Sequence, residues 1–215
     1  MQPFFSDLVT RSDEVRRAFE NHPVVLDAVA HGMDIQRYRK FLLEIYHIVW
    51  HFNPISAAAA SRMPDSHRQV RYHLYEHMHE ESGHEQWVLD DLDAVGVTAQ
   101  DARAYPASPD TLALCGYNYW QADRGNPCSV LGMLYALEVI ASVYGGTFTS
   151  AIKESLLLVG ERGTSFIGSH ATMDVAHMAS LRVVLNTLHD AAARDAVAES
   201  TIVNFHLLTR IFAAV

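Results

Sequence analysis

The sequence has few cysteines, few cationic side chains and no long uninterrupted hydrophobic run. Its 215 residues include only 2 cysteines, Cys115 and Cys128, which excludes a disulfide scaffold and thiolate metal sites such as zinc ribbons. We expect both thiols to lie in the core. Lysine and arginine number 16 against 25 acidic residues, which gives a net charge of −9, and they form no basic cluster. We therefore expect a small-molecule substrate, with no nucleic acid and no membrane as partner.

The sequence also shows no pattern of a signal peptide or of a membrane span. Residues 1–20 lack the basic flank, apolar segment and small-residue cleavage site of a signal peptide. The best apolar stretch, residues 130–144, is interrupted by Gly132 and Glu138 and is shorter than the about 20 residues of a membrane span. No nucleophile elbow, phosphate-binding loop or dinucleotide-binding glycine motif occurs. We expect a cytoplasmic protein that is neither a serine hydrolase nor a nucleotide-binding enzyme.

Apolar residues recur at intervals of three and four throughout the chain, which predicts an all-α fold. Without a repeat or a linker, residues 1–215 are predicted to form a single domain, a bundle of about seven to eight helices. Capping patterns predict helix starts at Asp34, Ser66, Ser108 and Asn126, and glycines such as the Gly145–Gly146 pair predict helix ends. The predicted helices span residues 5–20, 23–31, 34–63 with a kink at Pro54, 66–95, 109–122, 127–144, 147–159, and 164–189, the last continuing or breaking into 191–214.

Histidine, in contrast, is abundant, with 13 residues, and several histidines stand beside carboxylates at helical spacing. His77, Glu81 and His84 are spaced i, i+4 and i+7, which places them on one face of a helix. The pattern His-x3-acid-x2-His occurs a second time in residues 170–177. There it comprises His170, Asp174 and His177.

Glu138 is the only charged residue of a predicted helix that is apolar nearly all round. Burial of an ionised carboxylate is costly unless a cation or hydrogen bonds compensate it. Two helices with acid–histidine pairs and a third with a carboxylate can hold two metal ions in a bundle, and such mixed ligands suit iron or manganese. The zinc-protease pattern is excluded, because His79 and His84 are five residues apart and so about 140° apart around the helix.

Simpler interpretations of these residues remain open at this point. His77 and His79 could be solvated histidines on a charged helix, and Glu81 and His84 could form a surface pair. A buried lysine or arginine could neutralise Glu138. A single buried histidine is common, but three aligned polar residues in the apolar surroundings of residues 167–178 are not.

The segment EHMHEESGHEQWVLDDLDAVGV resembles the EExGHE…DL…lG signature of haem-oxygenase-like iron-containing proteins. This superfamily includes TenA/PqqC-type proteins and the di-iron oxidases and oxygenases related to them. Residues 22–52 resemble its opening segment, and the resemblance covers about residues 20–190. It implies a haem-oxygenase-like helical domain. It also implies a set of metal ligands, namely Glu81, His84, Glu138, His170, Asp174 and His177.

His77 is an alternative ligand, or a residue that supports a ligand. In some members of the superfamily the carboxylate stands seven residues before the histidine, and that position is His77 here. The resemblance further implies that Arg162 or Lys153 binds a carboxylate of the substrate. No catalytic residue beyond the metal centre is predicted.

The activity implied by the resemblance is that of a non-haem di-iron oxidoreductase. Such an enzyme holds two Fe(II) ions per chain and no haem, uses O2 as co-substrate, and oxidises a small metabolite such as an amino acid or a fatty acid in a biosynthetic pathway. A homodimer and an electron donor are further implied partners. Two alternatives stay open: a metal-independent TenA/PqqC-like enzyme, and a non-catalytic helical binding protein.

Overall fold

A computed structural model describes residues 3–215, of which most are helical and none lie in a β-strand. The prediction of an all-α fold is confirmed, although the helices are more numerous than the seven to eight predicted. In chain order they are α1 (Phe4–Arg11), α2 (Asp13–Glu20), α3 (Pro23–His31), α4 (Ile35–Arg62), α5 (Arg68–Glu80), α6 (His84–Ala94), α7 (Ala99–Ala104), α8 (Pro109–Asp123), α9 (Val130–Leu156), α10 (Ser165–Leu185) and α11 (Ala191–Ala214), with short 3-10 helices at Asp65–His67 and Pro127–Ser129.

Most of the predicted helix starts are correct. Asp34 caps α4 and Ser108 caps α8, because a side-chain oxygen of each accepts hydrogen bonds from backbone N–H groups in the first turn. Asn126 caps the 3-10 helix that precedes α9 in the same way. The capping box predicted at Ser66 is wrong. Ser66 lies inside a 3-10 helix, and α5 begins at Arg68 without a side-chain cap.

Two predicted helices are divided in the structure. The predicted helix 5–20 breaks at Ser12, whose hydroxyl donates to the carbonyl oxygen of Leu8 at 2.8 Å. The predicted helix 66–95 breaks before Gly83, which has a φ of 93°. Glycine adopts this left-handed conformation at little steric cost, and the chain therefore changes direction between α5 and α6. The last predicted segment breaks as well, and Asp190 caps α11. The short helix α7 was not predicted.

Two other predicted helices, 127–144 and 147–159, are merged into the single helix α9. Gly145 and Gly146 do not end the helix, because both keep a helical backbone conformation. Gly145 lies against α10, where an added Cβ atom would be 3.1 Å from the Cβ atom of Ala171. The absence of a side chain thus allows α9 and α10 to approach closely.

Helix α9 lies at the centre of the fold and contacts α3, α4, α10 and α11. By length and composition alone, residues 127–156 could cross a membrane. The stretch judged too short in the sequence analysis, residues 130–144, is part of this longer segment. However, 67% of the most apolar 18-residue window is buried inside the protein. This burial is typical of the core helix of a soluble protein.

Helices α6 and α10 are joined by a buried carboxylate. Asp91 of α6 accepts hydrogen bonds from the backbone N–H groups of Ser165 and Phe166, both at 2.8 Å, at the start of α10. The Ser165 hydroxyl donates to the same carboxylate at 2.9 Å. Asp91 therefore acts as an N-terminal cap supplied from another helix, and it fixes the position of α10 along α6.

Candidate metal centre

The six predicted ligands and His77 lie together in the interior, where α5, α6, α9 and α10 meet. Glu81 is half-buried in the turn between α5 and α6, and the other side chains are buried. The buried members are His77, His84, Glu138, His170, Asp174 and His177. Side chains far apart in the sequence are thus gathered at one place, which is the first requirement for a shared metal site.

One group of potential ligand atoms comprises Glu81, His84 and His170. Oε2 of Glu81 lies 2.8 Å from Nδ1 of His84 and 3.3 Å from Nε2 of His170. The two histidine nitrogens lie 3.2 Å apart. Atoms bound to one ion at about 2.1 Å lie about 3 Å from each other, so these separations suit a common metal ion.

The hydrogen bonding of His170 leaves the correct nitrogen free to bind a metal. Nδ1 of His170 is 2.9 Å from the carbonyl oxygen of Phe166, and a carbonyl can only accept a hydrogen bond. The proton of a neutral His170 therefore resides on Nδ1, and Nε2 presents its lone pair to Glu81 and His84.

A second group of potential ligand atoms lies beside the first. Nδ1 of His177 is 3.1 Å from Oδ1 of Asp174 and 3.7 Å from Oε1 of Glu81. Nε2 of His77 is 3.6 Å from Oε1 of Glu138, and His77, Glu138 and His177 form a further cluster of potential ligands. Oε1 of Glu81 faces this second group and Oε2 faces the first. The same carboxylate could therefore bridge two ions.

Glu138 provides an independent test of whether these residues fit a metal. Both of its carboxylate oxygens are buried without a hydrogen-bond partner, and no described lysine or arginine pairs with it. Burial, together with the charges of Asp174 and Glu81, raises the pKa of Glu138 well above its usual value. A buried ionised carboxylate without donors is costly unless a cation lies next to it, so Glu138 fits a position beside a metal ion.

The protonation of His77 and Glu81 also suits metal binding. Burial lowers the pKa of His77 to about 3, so this imidazole is neutral at physiological pH. Burial alone would raise the pKa of Glu81, but the adjacent imidazoles of His170 and His84 lower it well below its usual value. Metal ions bind neutral imidazole and ionised carboxylate, which are the forms that His77 and Glu81 adopt.

The structure distinguishes solvated residues from residues of the buried cluster. His79 is exposed, as a solvated histidine would be, whereas His77 is 4% exposed and belongs to the buried cluster. Arg162 and Lys153 lie outside the centre, in exposed ion pairs with Asp93 at 3.2 Å and Glu161 at 2.8 Å. Neither of these cations lines the cavity beside the centre.

The two cysteines take no part in the site. Both are buried, and burial raises the pKa of each thiol to about 12. Thiols with such pKa values are not ionised at physiological pH and are unreactive. The prediction that Cys115 and Cys128 are core residues is confirmed.

Two residues at the edge of the centre were not predicted from the sequence. His73 is buried one turn before His77, with Nδ1 3.3 Å from the Ser180 hydroxyl and with Nε2 lacking a partner. Glu80 lies 3.3 Å from Nε2 of His177, on the side of the ring that faces away from Asp174. Carboxylates often orient metal-binding histidines in this way. Only the four-residue spacing from His77 marks His73 in the sequence, and no signal distinguishes Glu80 from its acidic neighbours.

A cavity of about 150 Å³ adjoins the centre. Potential metal ligands form one wall of it, and apolar side chains from α2, α3, α4, α9, α10 and α11 form the rest. A small molecule in this cavity would contact the candidate metal ligands directly.

Comparison with protein families identifies one match. The profile of a family described as iron-containing redox enzymes matches residues 39–203, which include all the predicted ligands. Comparison with curated protein sequences finds no significant match.

Several solved structures share the fold. A protein of unknown function with a haem-oxygenase-like fold from Shewanella denitrificans has a TM-score of 0.81 and 23% identity, over 97% of this chain and 88% of that one. A TenA homologue from Pseudomonas syringae has a TM-score of 0.81 and 16% identity, over 99% and 93% of the chains. The haem complex of haem oxygenase-1 from Synechocystis has a TM-score of 0.80 and 15% identity, over 99% and 91%.

Proposed function

Because the chain belongs to the family of iron-containing redox enzymes and has a haem-oxygenase-like fold, we propose that it is a non-haem di-iron oxidoreductase that uses O2. Its substrate in this proposal is a small metabolite, and its setting is a biosynthetic pathway in the cytoplasm. In this proposal the protein forms a homodimer and receives electrons from an external donor. The observation that carries it is the buried, unpartnered carboxylate of Glu138 beside the two ligand groups.

We assign the ligands from the two groups of side chains. Glu81, His84 and His170 would hold one iron. Glu138, Asp174 and His177 would hold the other, with His77 as a further ligand, and Glu81 would contribute to both sites. In this arrangement both His77 and Glu81 take part, so the two positions that the sequence left as alternatives are both used.

The iron pair would supply O2 activation and the oxidation of the substrate. The residues around the iron pair have three roles. Phe166 would orient the ring of His170 through a hydrogen bond of 2.9 Å, and Glu80 would orient that of His177 through an ion pair of 3.3 Å. The carboxylates of Glu81, Glu138 and Asp174 offset the positive charge. The apolar walls exclude bulk water and hold the substrate against the ligands.

Iron stoichiometry tests this proposal directly. Protein loaded with Fe(II) in the absence of O2 and then desalted is expected to retain two iron ions per chain, measured colorimetrically. Admission of O2 is then expected to produce a transient visible absorption and O2 consumption at an electrode. Retention of no iron, or retention that is unchanged when His170 is replaced by alanine, would contradict the proposal.

Three alternatives predict different results in the same experiments. A metal-independent enzyme of the TenA type would keep its activity after chelation of metal, with the acidic residues acting as hydrogen-bond partners. A haem protein would bind added haemin with a strong Soret absorption. A non-catalytic binding protein would be stabilised by iron but would consume no O2 with any candidate substrate.

A further inference from the structure

Trp87 packs against the first group of potential ligands. It follows His84 by three residues in the first turn of α6, and this spacing places the two side chains next to each other on the helix surface. The indole ring of Trp87 stacks on the imidazole of His84, with ring centroids 3.9 Å apart and ring planes 21° apart. It also meets the imidazole of His170 edge to face, at 6.1 Å between centroids. One side chain therefore contacts both histidines of that group.

The indole of Trp87 differs in chemistry from the other rings that contact candidate ligands. Apart from other histidines, these rings are the phenyl groups of Phe52 and Phe166. An indole can lose one electron to a strong oxidant, whereas a phenyl ring is much harder to oxidise. Within residues 3–215, tyrosine rings contact histidine only at His47 and His51, which are not candidate ligands. Trp87 is therefore the oxidisable ring that is stacked on the centre.

Trp87 reaches from the centre to the protein surface. Its side chain is half-buried, and its indole N–H has no hydrogen-bond partner among residues 3–215 and is not one of the buried unpaired groups. The N–H is therefore accessible to water. Gly83, one turn earlier, is exposed, and a Cβ atom added there would meet nothing within 4 Å. No side chain from this position covers the indole.

The cavity proposed for the substrate is not part of this route. His170 and His177 line the cavity, whereas His84 and Trp87 do not. An electron that passes from the surface through Trp87 and His84 thus reaches the centre without crossing the space for the substrate. The proposed function needs such a route, because reduction of O2 to water takes more electrons than two Fe(II) ions release. A donor too large for the cavity must deliver its electrons through the protein.

We propose that Trp87 is an electron relay, through which an external one-electron reductant supplies the metal centre. This inference rests on the proposed function and assigns the place where the electron donor acts. Trp87 passes one electron through His84 to the iron pair after the pair has been oxidised by O2, and its indole releases the N–H proton to water. The reductant then returns one electron, and water returns the proton. In each cycle the reductant loses one electron, the iron pair gains one, and Trp87 is unchanged.

Tryptophan fluorescence tests the contact before any O2 reacts. The chain has 3 tryptophans, and the other two, Trp50 and Trp120, are 53% and 58% exposed. In the double variant Trp50→Phe/Trp120→Phe, anaerobic binding of Fe(II) is expected to quench most of the fluorescence, because the one remaining indole touches a ligand. In Trp87→Phe the remaining fluorescence is expected to change little.

Rapid freezing and electron paramagnetic resonance test the relay itself. Iron-loaded protein mixed with O2 without a reductant is expected to form a tryptophan radical, whose spectrum narrows when the tryptophan ring is deuterated. The double variant should keep this radical, which assigns it to Trp87 without any change at that residue. Trp87→Phe keeps a ring that can stack on His84 but is not oxidised, so the radical is expected to be lost while iron is retained. Trp87→Tyr should give a tyrosine radical instead.

The return of the electron is tested with hexaammineruthenium(II), a one-electron reductant. Its positive charge favours an encounter with a chain of net charge −9. Mixed with the double variant after its reaction with O2, the complex is expected to remove the tryptophan radical. The lifetime of the radical should then fall in proportion to the concentration of the complex.

The outcomes separate this inference from the proposed function. Failure of the unmodified chain to retain iron would overturn both. With normal iron retention, the relay alone would be overturned by the absence of a tryptophan radical, by a radical that persists in Trp87→Phe, by equal quenching in the two fluorescence variants, or by a radical lifetime that does not depend on the reductant.

Discussion

Two buried glutamates, Glu44 in α4 and Glu138 in α9, differ in whether the protein supplies hydrogen-bond donors to the carboxylate. They are 1% and 4% exposed, and each lies within a largely apolar segment of a long helix. Glu44 accepts hydrogen bonds from the backbone N–H of Ser108 at 3.1 Å and from the Tyr105 hydroxyl at 3.3 Å. The two oxygens of Glu138 accept none.

The surroundings of the two carboxylates differ accordingly. Glu44 fastens the connection between α7 and α8 to the middle of α4, and its burial is compensated by donors on that connection. Glu138 is surrounded by other potential metal ligands and lacks a donor. Burial of a carboxylate is therefore not enough to indicate a metal site; the absence of protein donors is the more specific sign.

The largest effect is expected for Glu138→Gln, which keeps the shape of the side chain and removes its charge. Retained iron is expected to fall from two ions per chain to one. O2 consumption is expected to fall by at least about 100-fold, the upper end of the loss caused by residues that only support metal ligands. Anaerobic iron titration and an O2 electrode measure the two effects. Retention of two tightly bound ions would remove the distinction between the two glutamates.

The corresponding change at the structural position is Glu44→Gln. It removes one acceptor, so the Ser108 N–H or the Tyr105 hydroxyl loses its partner, and the free energy of unfolding is expected to fall by about 1–3 kcal/mol. Iron retention of the folded protein should stay at that of the unmodified chain. Urea unfolding followed by circular dichroism measures the loss. A drop in iron content without a drop in stability would place Glu44 in the site instead.

His77→Gln tests the group that lies nearest to Glu138. The second iron is expected to bind about 10-fold to 100-fold more weakly, while the first, held by Glu81, His84 and His170, is expected to be unaffected. His79→Gln provides the control, since it makes the same change on the exposed side of α5. Anaerobic iron titrations of the two variants measure both affinities. Equal affinities in both variants would show that His77 only packs beside the centre.

The smallest effect is expected for Tyr105→Phe, which removes one of the two donors to Glu44. The hydrogen bond is long, at 3.3 Å, and Tyr105 is only half-buried, so the expected loss of stability is about 0.5–1.5 kcal/mol. Thermal unfolding of the metal-free protein detects a loss of this size, and iron retention serves as the control. A loss larger than that of Glu44→Gln would mean that Tyr105 stabilises the connection by packing rather than through Glu44.

The sequence allowed much of this organisation to be predicted, because helical spacing and cap residues are local properties. The extents of α3, α4 and α8 were predicted to within about two residues, and the candidate ligands were identified by their spacing and their family resemblance. Glu44 could not be told from Glu138, since the donors that distinguish them lie more than 60 residues from Glu44.

The incorrect helix boundaries at two glycines have different causes. Gly145 was expected to end a helix, but its lack of a side chain serves close packing on α10. Gly83, in contrast, lies inside a segment of continuous helical periodicity and divides it through a φ of 93°. The assignment of Arg162 or Lys153 to a substrate carboxylate followed from the family resemblance and stays a prediction. In the structure both cations pair with exposed carboxylates and neither lines the cavity.

Because Asp91 caps α10, the number of residues in two intervals of the chain becomes critical. His84 precedes Asp91 by seven residues, and His170 follows the capped Phe166 by four. Since each added residue turns an α-helix by about 100°, a single insertion in either interval would rotate a histidine away from Glu81 while the cap stayed in place. Residues 157–162 of the connection between α9 and α10 are not helical and mostly exposed, so an insertion there changes no helical register. Among related chains, length differences should therefore accumulate at residues 157–162 and be absent from residues 84–91 and 166–170.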